Sequence, residues 1–506
     1  GDSLARGQVE AESKEQVLKS LDQAASDLRQ KLGESLSSVQ KFATPLEQAT
    51  TSSLDALKAY SEGYRLHQSV KDAEAIPHYQ RAIELDPNFA MAYAALGVVS
   101  GNEGHLADQT RFLTKAYELR DRASEHERLY ISAHYQAEVL QDAQAAVDTY
   151  QQWIQSYPRD SVPRDNAALA YMTLGQHEKA MASAAAALQL DPKDNFANQN
   201  LAAAYLRMNR YDEAKAVVDK AKAAGLNQPI GDIVLMQIAF IRGDQAAIDK
   251  LMHDYAGTGL ESTILAISAA GESFLGRVKA SRAAFARAIQ AAQQSGQKEL
   301  AAELYVEMAS TAMEMGFDPA QAKPGIAQGL AASDDPGTRA TAAKAWALAG
   351  EIGRSEQLLQ QLAQQYPKDL ILNQGTIPVA RALQALHKNQ PAEAVRLLQS
   401  ASPYEFGSFP DGLGFSAMYL RGKAYLMAHD GAKAAVEFQK VLDHRGIDTV
   451  SPLYPLSRLG LGRALAMQGD AAKARIAYQD FFDMWKDADP DIPALRQAKA
   501  EYARLQ

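Results

Sequence analysis

The chain has 506 residues, with 52 Lys and Arg against 61 Asp and Glu, and so a formal net charge of -9. That balance excludes a nucleic-acid partner, which needs a basic face, and no run of five or six like charges makes an acidic tail. Cysteine is absent, which rules out disulfides, thiolate catalysis and cysteine-based zinc sites. No apolar run approaches the roughly 18–20 residues of a membrane helix; Ile233–Ile241 is interrupted by Gln237.

Residues 1–50 stand apart from the rest. The opening GDSLARG has neither an initiator Met nor a signal-peptide pattern and reads as a processed or excised end. SLARGQVEAE alternates weakly and predicts a lone strand. Ser13 and Gln16 have capping-box spacing. Val17, Leu21, Ala24, Leu28 and Leu32 then recur at helical steps, and Gly33 is a stop. FATPLEQATT reads as a linker.

From Ser52 to Pro490 the chain repeats itself. Gly63, Gly97, Ala168, Ala202 and Gly462 form one column. Ala75, Ala180, Ala214 and Ala474 form a second, and Ala82, Ala116, Ala187 and Ala221 a third. Pro87 and Pro192 close two of the units. The steps Gly63 to Gly97, Tyr171 to Tyr205 and Ala180 to Ala214 are each 34 residues. That period, with small residues at fixed places and a late proline, is the tetratricopeptide (TPR) signature. Each unit is two antiparallel helices. Small residues let the backbones approach, and Tyr93, Leu96, Tyr171 and Tyr205 fill the gaps. Gly104, Gly175 and Gly469 take the turn between helix A and helix B. Asp-Pro ends helix B, because the residue before proline is pushed out of the α region. The fold class expected is all-α: a right-handed TPR α-solenoid of about twelve hairpins. Its divisions are an N-terminal strand, helix and linker (1–50), a first array (51–334), a second array with aromatic loops (335–490), and a capping helix (491–506).

The strings GDSLARGQVEAESKEQVLKSLDQAASDLRQKLGESLSSVQKF, AIPHYQRAIELDPNFAMAYAALG, KAYELRDRASEHERLYISAHY, VEFQKVLDHRGI and KDADPDIPALRQAKAEYARL carry a resemblance. They resemble the C-terminal TPR half of bacterial serine/threonine protein kinases, and the likeness spans nearly all of the chain. Some transcriptional regulators have a similar half. The kinase resemblance implies a cytoplasmic kinase, a membrane helix, and then this portion outside, acting as sensor or scaffold. No kinase part is carried over. GLGFSA and GLGRAL lack the third spaced glycine and the flanking strand, and DHRG at Asp443–Gly446 is not a catalytic loop.

Other constellations are weak. His126 and His134 are eight residues apart and lack a zinc-helix pattern. Paired carboxylates such as Glu125 with Glu127, or Asp334 with Asp335, have no nucleophile or base beside them. No enzyme activity, metal or cofactor is expected. Two features point to binding. Asn166 and Asn200 occupy the same helix A position one repeat apart. In TPR peptide receptors an asparagine there bonds the backbone of an extended peptide, and one amide offers a peptide group both a donor and an acceptor. Asp165, Gln199 and Arg207 are expected on the same concave face. The second feature is SPYEFGSFPDGLGFSAMY followed by DHRGIDTVSPLYPL. Tyr404, Phe406, Phe409, Phe415 and Tyr454, with His444 and Arg445, form a ligand pocket or else plug irregular repeats. The partner expected is a protein or peptide. A small-molecule sensor or a dimerisation arm is the alternative.

Overall fold

The computed structural model describes residues 7–11, 16–31, 51–407 and 413–505. Among them are twenty-six α-helices and no strand. The lone strand expected near the start does not form over residues 7–11, since an isolated strand leaves its backbone polar groups without a ladder partner. This segment lies along the helix Val17–Lys31, with Gly7 beside Leu28, and the Ser20 hydroxyl donates to the Glu10 carbonyl at 3.0 Å. Ser13, Leu32, Gly33 and all of the expected linker but Thr51 lie outside the described residues.

The chain divides into two compact units, Gly1–Arg159 and Asp160–Gln506, so residue 335 lies inside the second. The first unit holds three helical hairpins: Leu54–Gln68 with Asp72–Leu85, Ala90–Asn102 with Leu106–Leu119, and Glu125–His134 with Ala143–Ser156. The second holds nine more, from Val162–Thr173 with His177–Leu190 to Leu453–Met467 with Ala471–Met484, and then the helix Pro493–Ala503. Twelve hairpins match the number expected from the period.

The repeated small residues sit where helices meet. Ala75, Ala82, Ala168, Ala180, Ala202, Ala214 and Ala474 have no exposed surface. Gly63, Gly422 and Gly462 each face the ring of the residue sixteen positions on: Tyr79, Phe438 and Tyr478. A Cβ on Gly63 would stand 2.9 Å from the Tyr79 ring, inside van der Waals contact, so helix B could not pack as closely. The A-to-B turns need a left-handed residue, and Gly104, Gly175 and Gly469 adopt φ of 83°, 67° and 81°. Asp86 and Asp191, each before a proline, end their helices in extended backbone.

In the first unit, three aromatic layers form the interior. The Tyr60 ring lies 5.5 Å from Tyr79 and 5.1 Å from Phe89. The Tyr117 and Tyr135 rings stack at 4.0 Å, and His126 sets its edge on Trp153 at 4.9 Å. Tyr135 opens a π-helical turn, Tyr135–Val139, that ends this helix A one residue out of register. A reciprocal capping box between Ser124 and Glu127 starts the same helix.

The second unit departs from a simple array. Hairpins in a solenoid usually touch only their neighbours. Here the C-terminal segments return to the earlier hairpins, 179 to 213 residues back along the chain. The Trp485 indole N–H donates to the Phe274 carbonyl at 2.9 Å. The Asp489 N–H donates to the Gly276 carbonyl at 3.0 Å, and the Ala494 N–H to the Met315 carbonyl at 3.2 Å. Phe240, Phe274, Met315, Phe415, Tyr454 and Trp485 belong to one buried core. Hydrophobic burial has therefore closed part of the solenoid on itself, because the rings of residues 415–492 and the apolar ends of helices 229–274 cover one another.

Candidate functional site

The candidate site is built on neighbouring A helices, Val162–Thr173 and Asn195–Arg207. Asp194 caps the second with two hydrogen bonds of 3.0 Å to the N–H groups of Phe196 and Ala197. The cap fixes the helix start and so the direction of the side chains that follow. Asn200 Nδ2 donates to Asp165 Oδ1 at 2.8 Å, which links the two A helices through the very residues expected on one face. Asn166 is half-buried next to this pair. Burial pushes the Asp165 carboxyl well above the ordinary carboxylate range, with the nearby Asp194 charge adding to the effect.

Gln199 is not on that face. It is 2 % exposed, and its amide oxygen accepts from the Ile230 N–H at 2.9 Å, tying the start of the next A helix. An amide buried between helices must satisfy its polar atoms there, so this side chain is committed to the array.

Arg207 does face another segment, and the segment belongs to the same chain. Its Nη1 donates to the carbonyls of Gly446 at 2.8 Å and Ile447 at 2.9 Å. Burial lowers the guanidinium pKa to about 10, partly opposed by the Asp448 charge. Two residues on, Asn209 grips the same loop from both sides. Its Oδ1 accepts from the Gly446 N–H at 2.7 Å, and its Nδ2 donates to the Asp443 carbonyl at 3.2 Å. Asn209 sits at the A-to-B turn with φ of 60°, where a sister repeat has Gly175. Asparagine tolerates that left-handed backbone, and the turn aims its amide outward.

A parallel contact lies one repeat earlier. His177 Nε2–H donates to the Phe406 carbonyl at 2.9 Å. Gly407 packs so closely on Thr173 that a Cβ there would stand 3.0 Å from the Thr173 carbonyl carbon. The loop 402–407 is held from behind by a buried ion cluster. Arg421 Nη2 donates to Glu405 and, at 2.8 Å, to Glu437, while Lys440 bonds Glu437 at 2.9 Å. Arg421, Glu405 and Glu437 are 6 %, 5 % and 8 % exposed. Burial alone would depress the Arg421 guanidinium, but the Glu405 and Glu437 charges raise its pKa above the ordinary value.

The aromatic loops are plugs rather than pocket walls. Tyr404, Phe415 and Tyr454 are buried in apolar clusters. Phe406 is half-buried, with its ring 4.5 Å from the His444 ring. Arg445 is stacked over Phe274 at 4.9 Å and Tyr454 at 5.1 Å, and His444 Nδ1 lies 2.8 Å from the Lys440 carbonyl. Phe409 lies outside the described residues. Unpaired apolar helix ends are cheaper to cover than to expose, and these rings cover them. Among the described residues, no helix is long and apolar enough to cross a membrane, and no group of three or more His, Asp or Glu could hold a metal ion.

His177 gives the joint a pH dependence. Burial lowers its pKa to about 4 from 6.5. The unfolded chain then binds the proton first, so stability is lost as pH falls from about 6.5 through about 4. Urea melts at pH 7 and pH 4.5 are expected to show a smaller acid loss for His177→Gln, whose amide can still donate to Phe406 but does not titrate.

Two family models match the chain: one described as TPR repeat over residues 63–104, and one described as tetratricopeptide repeat over 171–230. The fold is a TPR-type α-solenoid. No curated protein matches the chain. Among solved structures, the TPR α-solenoid is similar to YrrB, described as a TPR protein with an unusual peptide-binding site, at 22% identity over 33% of this chain and 84% of that one, with a TM-score of 0.21. It is similar to PilW, a type IV pilus biogenesis factor, at 14% identity over 42% and 99%, with a TM-score of 0.31. It is also similar to MamA from Desulfovibrio magneticus RS-1 at 18% identity over 34% and 95%, with a TM-score of 0.23. Likeness at this level carries no functional argument.

Proposed function

We propose that this TPR α-solenoid is a non-enzymatic scaffold that holds an extended protein or peptide segment along the A helices Val162–Thr173 and Asn195–Arg207. TPR arrays are protein-interaction folds, and the chain contains no kinase domain. The observation that supports the finer reading is the grip of Arg207 and Asn209 on the main chain of residues 443–447. A guanidinium on two carbonyls, and an amide that both donates and accepts, is the chemistry an extended peptide requires. Asn200, Asp165 and Asn166 offer the same functional groups further along the inner face. The assignment to the interaction half of a bacterial serine/threonine protein kinase, outside the membrane, rests on the resemblance of the sequence strings alone.

Peptide display against the purified chain is expected to select extended segments with dissociation constants in the micromolar range. Asn166→Ala/Asn200→Ala is expected to weaken them tenfold or more, a loss of at least about 1.4 kcal/mol, in a variant that circular dichroism shows to be folded but that melts lower, because Asp165 loses the Asn200 hydrogen bond. Selected segments that bind this double variant as tightly as the wild type would overturn the assignment of the site.

A further inference from the structure

Where the C-terminal segment returns to the earlier hairpins of the second unit, the two do not close completely. A cavity of about 220 Å³ remains between them, and no residue of the Asn166–Asn200 face lines it. One wall belongs to the earlier hairpins: Phe240 near the end of the helix Pro229–Arg242, Ile248 on Gln245–Asp254, and Leu275 and Arg277 just after Glu261–Phe274. The other wall is Met484, the last residue of the helix Ala471–Met484, with Lys486 and Asp487 beyond it. The hydrogen bonds from the Trp485 indole to the Phe274 carbonyl and from the Asp489 N–H to the Gly276 carbonyl hold the walls in register.

The floor of this cavity is apolar. Phe240 and Ile248 are buried in the core that joins the two segments, and Leu275 and Met484 are half-buried against it. The mouth carries two cations whose donors are not used by the protein. Lys486 is exposed, and among the described residues it has no hydrogen bond and no carboxylate within 4.0 Å. The half-buried Arg277 guanidinium lies 3.7 Å from Glu272 and 3.6 Å from Asp487. Those separations let it feel both charges but are too long for hydrogen bonds. Its planar fork of N–H donors therefore makes no hydrogen bond among the described residues. Apolar surface gains by being covered, and the donors above it gain by meeting an acceptor.

We infer that the cavity is a binding site for a small carboxylate bearing one apolar group, with the carboxylate received by Arg277 and Lys486 and the apolar group by Phe240, Ile248, Leu275 and Met484. A guanidinium fork matches the two oxygens of a carboxylate, and the Lys486 ammonium adds a second point charge. The volume sets the size. A dry cavity of about 150 Å³ holds a benzene ring, so this one takes a phenyl or isobutyl group with its carboxylate and no long acyl chain. Two sources share this chemistry, a simple acid and an apolar α-amino acid; in the second the ammonium faces Asp487. Either ligand touches both walls, so binding stabilises the closed second unit. This inference does not rest on the peptide reading of Asn166 and Asn200.

Calorimetric titration of the full chain with phenylacetate, isocaproate, phenylalanine and leucine tests it, alongside phenylacetamide and acetate, which each lack one of the two features. Binding of at least one of the first four is expected, with a rise in melting temperature. Binding of the amino acids alone would assign the ammonium to Asp487, and equal binding of the simple acids would show that Arg277 and Lys486 suffice. Phenylacetamide and acetate are expected to bind tenfold or more weakly. Lys486→Met, at an exposed position with no protein partner, is expected to fold normally and to weaken binding tenfold or more. Arg277→Met is expected to abolish it, with circular dichroism showing whether the variant is folded. Binding of none of the first four ligands, or equal binding of phenylacetamide or acetate, would overturn the inference. So would binding that survives both substitutions. Should Arg277→Met fail to fold, Lys486→Met and the paired ligands still decide it.

Discussion

Arg421→Met is expected to destabilise the second unit by about 3–5 kcal/mol, the usual cost of removing one partner from a buried ion cluster. Glu405 and Glu437 would keep their carboxylates in an apolar setting with only Lys440 beside them. Urea denaturation of the full chain measures the loss. The cause is separable from lost packing, because methionine fills similar volume. The triple variant Arg421→Met/Glu405→Gln/Glu437→Gln removes the charges together and is expected to recover most of the stability. No recovery would mean that Arg421 acts through packing alone. The effect should also reach beyond the cluster. Glu405 anchors the loop whose next residue accepts the His177 hydrogen bond, so amide exchange should quicken at residues 402–407 in the single variant and not in the triple.

Gly446→Val is expected to cost at least about 4 kcal/mol. A Cβ at this position would fall deep inside the van der Waals surface of the Leu206 carbonyl oxygen and 2.8 Å from the Arg207 carbonyl carbon. Both obstacles are backbone, so neither can rotate away. Overpacking of this kind costs about 1–3 kcal/mol, and moving the loop also breaks the two charged hydrogen bonds from Arg207, each worth about 1.5–3 kcal/mol. Asn209→Ala provides the comparison: without a clash it removes the two hydrogen bonds to the loop, and with them the one from the Tyr211 hydroxyl, and is expected to cost about 1–3 kcal/mol. Thermal melts of both variants, with proteolysis mapping of residues 443–450, distinguish the two effects. A valine variant as stable as the wild type would mean that the joint is not tightly packed.

The hairpins were legible because each depends on local spacing. Gly63 and Tyr79 lie sixteen residues apart and touch within one hairpin, so a 34-residue beat records the contact. The irregular units over 122–160 and 368–400 were legible for the same reason, although π-helical turns at Tyr135–Val139 and Leu372–Thr376 distort them. Arg207 is expected from the period on the concave face, and no periodicity reveals that its guanidinium bonds a carbonyl 239 residues away. Gln199 was misplaced because the period gives a residue's angle on its helix and not the position of the next helix, whose Ile230 N–H it satisfies. Asn209 and His177 were missed outright. Each looks like an ordinary turn residue, and only the return of the chain gives it a partner. Gly407 and Gly446 were visible as loop glycines, without any sign that a backbone lay against them. The aromatic loops were read as either pocket or plug, and burial of Tyr404, Phe415 and Tyr454 decides for the plug.

The joint between Arg207 and Gly446 also restricts how this array can change in length. An open solenoid gains or loses a whole unit by letting the remaining ones restack, since each unit answers only to its neighbours. Here the stretch from Arg207 to Gly446 is closed at both ends by contacts that tolerate no extra atom. Adding or removing one hairpin inside that stretch would carry Gly446 past the carbonyls it must meet, while a hairpin added ahead of residue 160 would leave the fit intact. The register of two glycine-to-backbone contacts thus acts as a ruler on the number of repeats between them.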